Sequence, residues 1–194
     1  MKWTWPNILT LLRISMIPVL VVVFYLPGKL MPLLCAAIFG LAAVTDWLDG
    51  YLARRLKQQS VFGAFLDPVA DKLMVAVALV LLVESNGDLF FTIPVAVIIG
   101  REIAISALRE WMSEIGERAT VAVSIIGKVK TTAQMVAILL LLYDAPVGLF
   151  PTHEVGLVLL YVAAVLTLWS MLIYMRAAWP VIFGRTGAPG EGDA

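Results

Sequence analysis

Charge is scarce in this sequence. Aspartate, glutamate, lysine and arginine make up 14% of its 194 residues, against about 25% in soluble domains. The charge that exists cancels, since 14 basic and 14 acidic side chains leave a net charge of zero. That balance lacks the basic footprint of a nucleic-acid-binding protein, so no nucleic-acid partner is expected. Cysteine occurs once, as Cys35, which excludes a disulfide framework. In its apolar stretch Cys35 reads as a packing residue. Hydrophobic residues, by contrast, make up 61% of the chain. Disordered chains are poor in them, and a soluble fold of this length cannot hide so much apolar surface. An integral membrane protein remains.

A membrane-crossing helix needs about 20 mostly apolar residues. Six stretches qualify, near 8–26, 32–53, 64–84, 90–109, 123–143 and 155–178. Pro27-Gly28 separates the first two, and Asn86-Gly87-Asp88 separates the third from the fourth. Asp144-Ala145-Pro146 and Pro151-Thr152 bracket the loop before the sixth. The expected fold class is an all-α integral membrane protein with six transmembrane helices. Residues 1–183 read as a single six-helix transmembrane domain, and 184–194 as a flexible tail. The first stretch is long and lacks a small-x-small cleavage site, so it reads as a span and not a cleaved signal. Lys2 with Trp3-Thr4-Trp5-Pro6 reads as an interfacial anchor, because tryptophan favours the headgroup region.

Six spans put both termini on one side. That side holds Lys2, Arg13, Arg54, Arg55, Lys57, Lys72, Arg101, Arg109, Arg118, Lys128, Lys130, Arg176 and Arg185, and the other side only Lys29. Basic residues gather on the cytoplasmic side, so both termini are expected there. The lone His153 falls on the opposite side and reads as a loop residue.

Four acidic residues need a reason: Asp46, Asp49, Asp67 and Asp71 flank the cytoplasmic turn between spans two and three. A carboxylate at mid-membrane costs about 2.5–3.5 kcal/mol on insertion scales. Four together repel one another unless something positive stands among them. Each helical residue advances about 100°. Asp46, Asp49, Gly50 and Ala53 therefore share one face of span two, and Gly63, Asp67 and Asp71 one face of span three. In a hairpin the two acidic faces meet, and the small residues let a ligand approach the backbone. Lys72 is expected to point away from its neighbour Asp71. Arg54, Arg55 and Lys57 could balance the aspartates as an ionic cluster. Hard divalent ions fit better, since Mg²⁺ takes oxygen ligands and often binds through few carboxylates plus substrate phosphates. Paired ions about 3.5–4 Å apart serve in-line displacement at phosphorus. The residues alone thus point to a cytoplasm-facing divalent-metal site for phosphoryl chemistry. A carboxylate-lined channel or transporter is the rival.

Written out, the segment reads Asp46-x-x-Asp49-Gly50-x-x-Ala53-Arg54-x8-Gly63-x3-Asp67-x3-Asp71. It resembles the signature of the CDP-alcohol phosphotransferase family at every fixed position. Pro6-Asn7-Ile8-Leu9-Thr10-Leu11-Leu12-Arg13 is similar to that family's usual opening. Gly100-Arg101-Glu102-Ile103 and Gly127-Lys128-Val129-Lys130-Thr131 resemble the bacterial members that take sn-glycerol 3-phosphate. The resemblance implies the CDP-alcohol phosphotransferase fold, a homodimer of six-helix subunits with a cytoplasm-facing cavity in the bacterial inner membrane. It implies transfer of a phosphatidyl group from CDP-diacylglycerol to sn-glycerol 3-phosphate, with release of CMP, among membrane lipids.

The resemblance also assigns roles. Asp46, Asp49, Asp67 and Asp71 would hold Mg²⁺ or Mn²⁺, two ions per site, and Asp71 would be the general base. Gly50, Ala53 and Gly63 would leave room for CDP-diacylglycerol, with Arg54 and Thr10 contacting it. Arg101, Arg109, Lys128 and Lys130 lie at the cytoplasmic ends of spans four and five and are candidates for the acceptor phosphate, since arginine grips phosphate through a bidentate fork. Arg13 is a further candidate, against simple snorkelling. The aspartate signature handles the CDP half, so inositol phosphate or serine would serve the same chemistry as acceptor. The basic residues favour an anionic one. A divalent-cation transporter leaves unexplained the glycine and alanine at fixed places between the aspartates.

Overall fold

The computed structural model describes residues 5–56, 61–115 and 125–182. Six helices follow one another: α1 (Trp5–Tyr25), α2 (Met31–Leu56), α3 (Val61–Asn86), α4 (Leu89–Glu114), α5 (Ile125–Tyr143) and α6 (Thr152–Ile182). Each corresponds to one of the expected apolar stretches. No strand occurs among the described residues, only an isolated bridge between Val147 and Phe150. Lys2 to Thr4 of the expected anchor, Lys57, Arg118, and the tail 184–194 with Arg185 lie outside the described residues.

Among the described residues, three helical segments are by length and composition apolar enough to cross a membrane: Asn7–Tyr25, Leu89–Glu114 and Thr152–Arg176. The apolar runs Met31–Asp46 of α2 and Val129–Tyr143 of α5 are shorter. α3 carries Asp67, Asp71 and Lys72 in its first half. Large apolar side chains face outward along the outer helices, among them Val19 and Val22 of α1, Val80 of α3, and Val158, Val165 and Trp169 of α6. A helix that is apolar on its outer face suits lipid rather than water. The chain is a multi-pass membrane protein.

The turns that reverse the chain are local. Gly87 at φ 59° lets α3 end, and Asp88 caps α4 by accepting a hydrogen bond from the Phe90 backbone N–H at 3.3 Å. Between α5 and α6, Asp144 at φ 44° and Gly148 at φ 62° turn the loop. His153 Nδ1 lies 2.7 Å from Asp144 Oδ1 at this same end.

α1 packs on α2 and α3, and α6 packs on α4 and α5. The two groups join through α2 with α5 and through α3 with α4 and α5. Among the described residues α4 and α5 do not pack on each other, although they are consecutive. The core occupies one half of the bundle. It runs from Leu20 through Phe39, Leu79 and Leu82 to Ile138, Leu160 and Ala163. The other half is left open between α3, α4 and α5.

Small residues permit the closest approach in the packed half, as expected for helices that meet without a hydrophobic driving force. A Cβ on Gly156 of α6 would stand 2.9 Å from Leu141 Cγ and 3.2 Å from Leu140 Cβ of α5. Gly156→Val is therefore predicted to cost about 1–3 kcal/mol through overpacking. Thermal unfolding in detergent should show a lower Tm than wild type, with Gly156→Ala in between. An unchanged Tm for the valine variant would mean that the two helices separate freely here.

Candidate active site

Three of the four signature aspartates meet at the open end of the bundle, and α1 draws them together. Thr10 and Arg13 are one turn apart, so they share a face. Both are buried, Arg13 to 1% exposure. Arg13 Nη1 lies 2.9 Å from Asp46 Oδ1 of α2 and donates to Asp71 Oδ1 of α3 at 2.7 Å. Thr10 Oγ1 donates to Asp67 Oδ1. One guanidinium thus bridges carboxylates from two helices, and one hydroxyl orients a third. Asp46 and Asp71 remain partly exposed, at 38% and 45%. For Asp49, Gly50, Ala53, Arg54 and Lys128 the helical backbone is described, and their side chains lie outside the described residues. Gly63 is buried at the start of α3.

A cavity of about 690 Å³ opens beside these carboxylates, within the range of ligand sites. Asp46, Asp67 and Asp71 line one side. Glu102, Ser106 and Arg109 of α4 and Lys130, Thr131 and Gln134 of α5 line the other. Deeper in, Val75, Ala76, Ile98, Ile99 and Met135 make its walls apolar. The spacing explains the α4 wall, because Glu102, Ser106 and Arg109 stand at i, i+4 and i+7 on one helix face.

The cations predicted for phosphate binding divide into three groups. Arg109 and Lys130 line the cavity. Arg101 does not. It is turned toward α6, where Nη2 donates to Ser170 Oγ at 2.9 Å and the guanidinium lies 5.8 Å from the centre of the Tyr174 ring. Its Nη1 donates to Glu102 Oε2 at 3.1 Å. Arg13 is buried among the carboxylates and does not line the cavity. Lys72 turns its head to α4, while Asp71 is held by Arg13 of α1. Both line the cavity, and Lys72 Nζ reaches across to Ser106 Oγ at 2.5 Å. Its long stem spans the angle between successive helical positions.

Glu102 is the residue that reasoning from the sequence passed over. Its Oε2 accepts from Arg101 and also from Lys130 Nζ at 3.4 Å. The signal was present, because Glu102 falls inside the expected fourth span, where an ionisable residue is costly and marks function.

The donor set suits a hard divalent cation. Carboxylate oxygens are the ligands of Mg²⁺ and Mn²⁺, and Asp46 and Asp71 already converge on one positively charged nitrogen. Among the described residues no group of three such ligands is drawn tightly enough to hold an ion. Asp49, whose side chain lies outside them, is the remaining signature carboxylate.

The family model for CDP-alcohol phosphatidyltransferase matches residues 3–169. A protein of Pectobacterium atrosepticum named CDP-diacylglycerol–glycerol-3-phosphate 3-phosphatidyltransferase is 59% identical over 178 residues, covering 92% of this chain and 96% of its own. Proteins of the same name from Sodalis glossinidius and Yersinia enterocolitica are 60% and 57% identical over 92% of this chain, and over 96% and 97% of their own lengths.

The hydrogen bond from Thr10 generates a prediction. Partners that orient a metal-binding carboxylate are worth about 10–100-fold in metal affinity or activity. Thr10→Val keeps the buried volume and removes the donor to Asp67. The variant is expected to unfold at the wild-type temperature but to need at least about tenfold more Mn²⁺ for half-saturation, read by electron paramagnetic resonance. Unchanged Mn²⁺ affinity would reduce Thr10 to a packing residue.

Proposed function

The chain belongs to the CDP-alcohol phosphatidyltransferase family, and we propose that it transfers the phosphatidyl group of CDP-diacylglycerol to sn-glycerol 3-phosphate, yielding phosphatidylglycerophosphate and CMP. One observation carries this reading: a single cavity has three of the four signature aspartates on one side and Arg109 and Lys130 on the other. That is the arrangement for a reaction between an anionic, pyrophosphate-bearing donor and an anionic acceptor.

The reacting hydroxyl oxygen attacks the phosphorus that carries diacylglycerol. The bond from that phosphorus to the CMP oxygen breaks, and CMP leaves with the electron pair. Asp71 takes the proton of the attacking hydroxyl, for which it must stand within hydrogen-bond reach. Arg13 fixes the orientation of Asp71 through Oδ1, so the base is held in place before the substrate arrives. Lys130 and Arg109 hold the acceptor phosphate and set its hydroxyl toward the aspartate wall, which converts a bimolecular encounter into a positioned one. Gly50, Ala53, Gly63 and Arg54 form the donor side by the family signature. A divalent cation, Mg²⁺ or Mn²⁺ and in this reading two ions, held by Asp46, Asp49, Asp67 and Asp71, would supply positive charge to the donor pyrophosphate and the departing CMP. The apolar depth of the cavity at Val75, Ile98 and Met135 suits a lipid donor.

We read all six helices as crossing a bacterial inner membrane, with both termini and the cavity on the cytoplasmic side. Arg13, Lys72, Arg101, Arg109 and Lys130 stand in the half of the bundle that holds the cavity, and Lys29 at the other end, which supports that orientation. The catalytic unit is taken as residues 1–183, working as a homodimer as in the resembled family.

The test is CMP release by detergent-purified protein given CDP-diacylglycerol and Mg²⁺. Release is expected with glycerol 3-phosphate and not with inositol phosphate, serine or chelator. Asp71→Asn should bind CDP-diacylglycerol but lose about 10²–10⁴-fold in kcat. Release supported only by another acceptor would keep the chemistry and replace the substrate, and near-normal turnover of the asparagine variant would remove Asp71 as base. Lys130→Ala should raise the KM for glycerol 3-phosphate about 10–100-fold, the worth of a hydrogen bond to a charged group, and leave the donor KM near wild type. Equal effects on both KM values would place Lys130 outside the acceptor site.

A further inference from the structure

Glu102 has no part in the reaction as written, yet it lies on the cavity wall where the acceptor phosphate is read to bind. Its Oε2 is fully accounted for. It neutralises Arg101 at 3.1 Å and Lys130 at 3.4 Å, and Arg101 is itself anchored to Ser170 and Tyr174 of α6. A carboxylate has a second oxygen with its own lone pairs. Among the described residues Oε1 has no partner, and the side chain is 36% exposed where it lines the cavity.

A carboxylate beside a lysine that binds phosphate weakens that site by repulsion. A pocket for phosphate alone would be better without it. The feature makes sense if the ligand brings a hydrogen-bond donor next to its phosphate, as a polyol phosphate does. On the α4 wall Ser106 Oγ accepts from Lys72 and donates to the Glu102 backbone carbonyl at 2.6 Å, which leaves it one neutral lone pair against the free carboxylate oxygen of Glu102.

We propose that Glu102 is a specificity-determining residue that accepts a hydrogen bond from the hydroxyl of the acceptor that does not react. This rests on the acceptor reading above. With the phosphate on Lys130 and Arg109 and the reacting hydroxyl at Asp71, the middle hydroxyl of glycerol 3-phosphate falls between the two walls. Glu102 is tied to Lys130 and therefore stands beside the phosphate end of that path. A site built to bond a substrate hydroxyl rejects the analogue lacking it, because the polar group, covered once the ligand fills the cavity, is then left unpaired.

The experiment compares kcat/KM for sn-glycerol 3-phosphate with that for 3-hydroxypropyl phosphate, which lacks the middle hydroxyl, by CMP release from the full-length protein in mixed micelles. Wild type is expected to prefer glycerol 3-phosphate by about 10–100-fold, as for a hydrogen bond to a charged group. In Glu102→Ala the preference should fall to within about threefold of unity, because the bond is gone for both acceptors. A Glu102 that served only to neutralise Arg101 and Lys130 would lower both values alike and leave their ratio unchanged. That result, or a wild type indifferent to the hydroxyl, overturns the proposal. Where the alanine variant does not fold, Glu102→Gln keeps an oxygen for Arg101 and Lys130 and puts a neutral NH2 donor where the charged acceptor stood, and its ratio should drop at least about threefold. An unchanged ratio in that variant overturns the proposal equally. Wild-type protein that releases no CMP with glycerol 3-phosphate would instead refute the functional reading on which the proposal depends.

Discussion

A single buried guanidinium organises the reactive end of this protein. Arg13 stands at 1% exposure between Asp46 and Asp71. Taking a cation out of water costs several kcal/mol, a cost met only when partners surround it. The two carboxylates are in turn tolerable near each other because the cation separates them. Arg13 and Thr10 bring α1 against both acidic helices, and α1 packs more extensively on α2 and on α3 than those two pack on each other. Among the described residues the acidic faces of α2 and α3 meet through the first helix.

From that fixed wall the rest of the site follows. α3 packs on both α4 and α5, while α4 and α5 do not pack on each other among the described residues. The volume between them is the cavity. Its far wall carries cations, and Glu102 links α4 to α5 there through Lys130. The opposite half of the bundle is closed by small residues and apolar packing, with Gly156 against Leu141. One end is packed with apolar side chains, and the other is open and charged. A lipid-linked donor with a charged head requires both environments in one molecule.

Much of the site was legible along the chain. The i, i+4 spacing of Asp67 and Asp71 put them on one face, and Arg109 and Lys130, which line the same cavity, were recognisable as cations. Less legible was which cation faced the cavity. Arg101 and Lys130 look alike in sequence, both basic and both near the ends of their spans. One turns to Ser170 on α6 and the other lines the cavity. Helical periodicity assigns a residue to a face of its own helix, and says nothing about which helix stands opposite. Lys72 shows the same limit, because a flexible stem carries its head to Ser106 whatever the angle of its Cα.

The sequence by itself determined the environment and the chemistry. A composition of 61% hydrophobic and 14% charged residues commits the chain to lipid, and the aspartate, glycine and alanine spacing marks the family, because both follow from local order along the chain. The tertiary structure decided the partnerships. Arg13 and Asp71 are 58 positions apart, Thr10 and Asp67 are 57 apart, and Lys130 and Glu102 are 28 apart. Contacts at such separations depend on which helices pack and which stay apart. That choice is made by the summed fit of apolar faces and small residues across the bundle, and no single segment contains it.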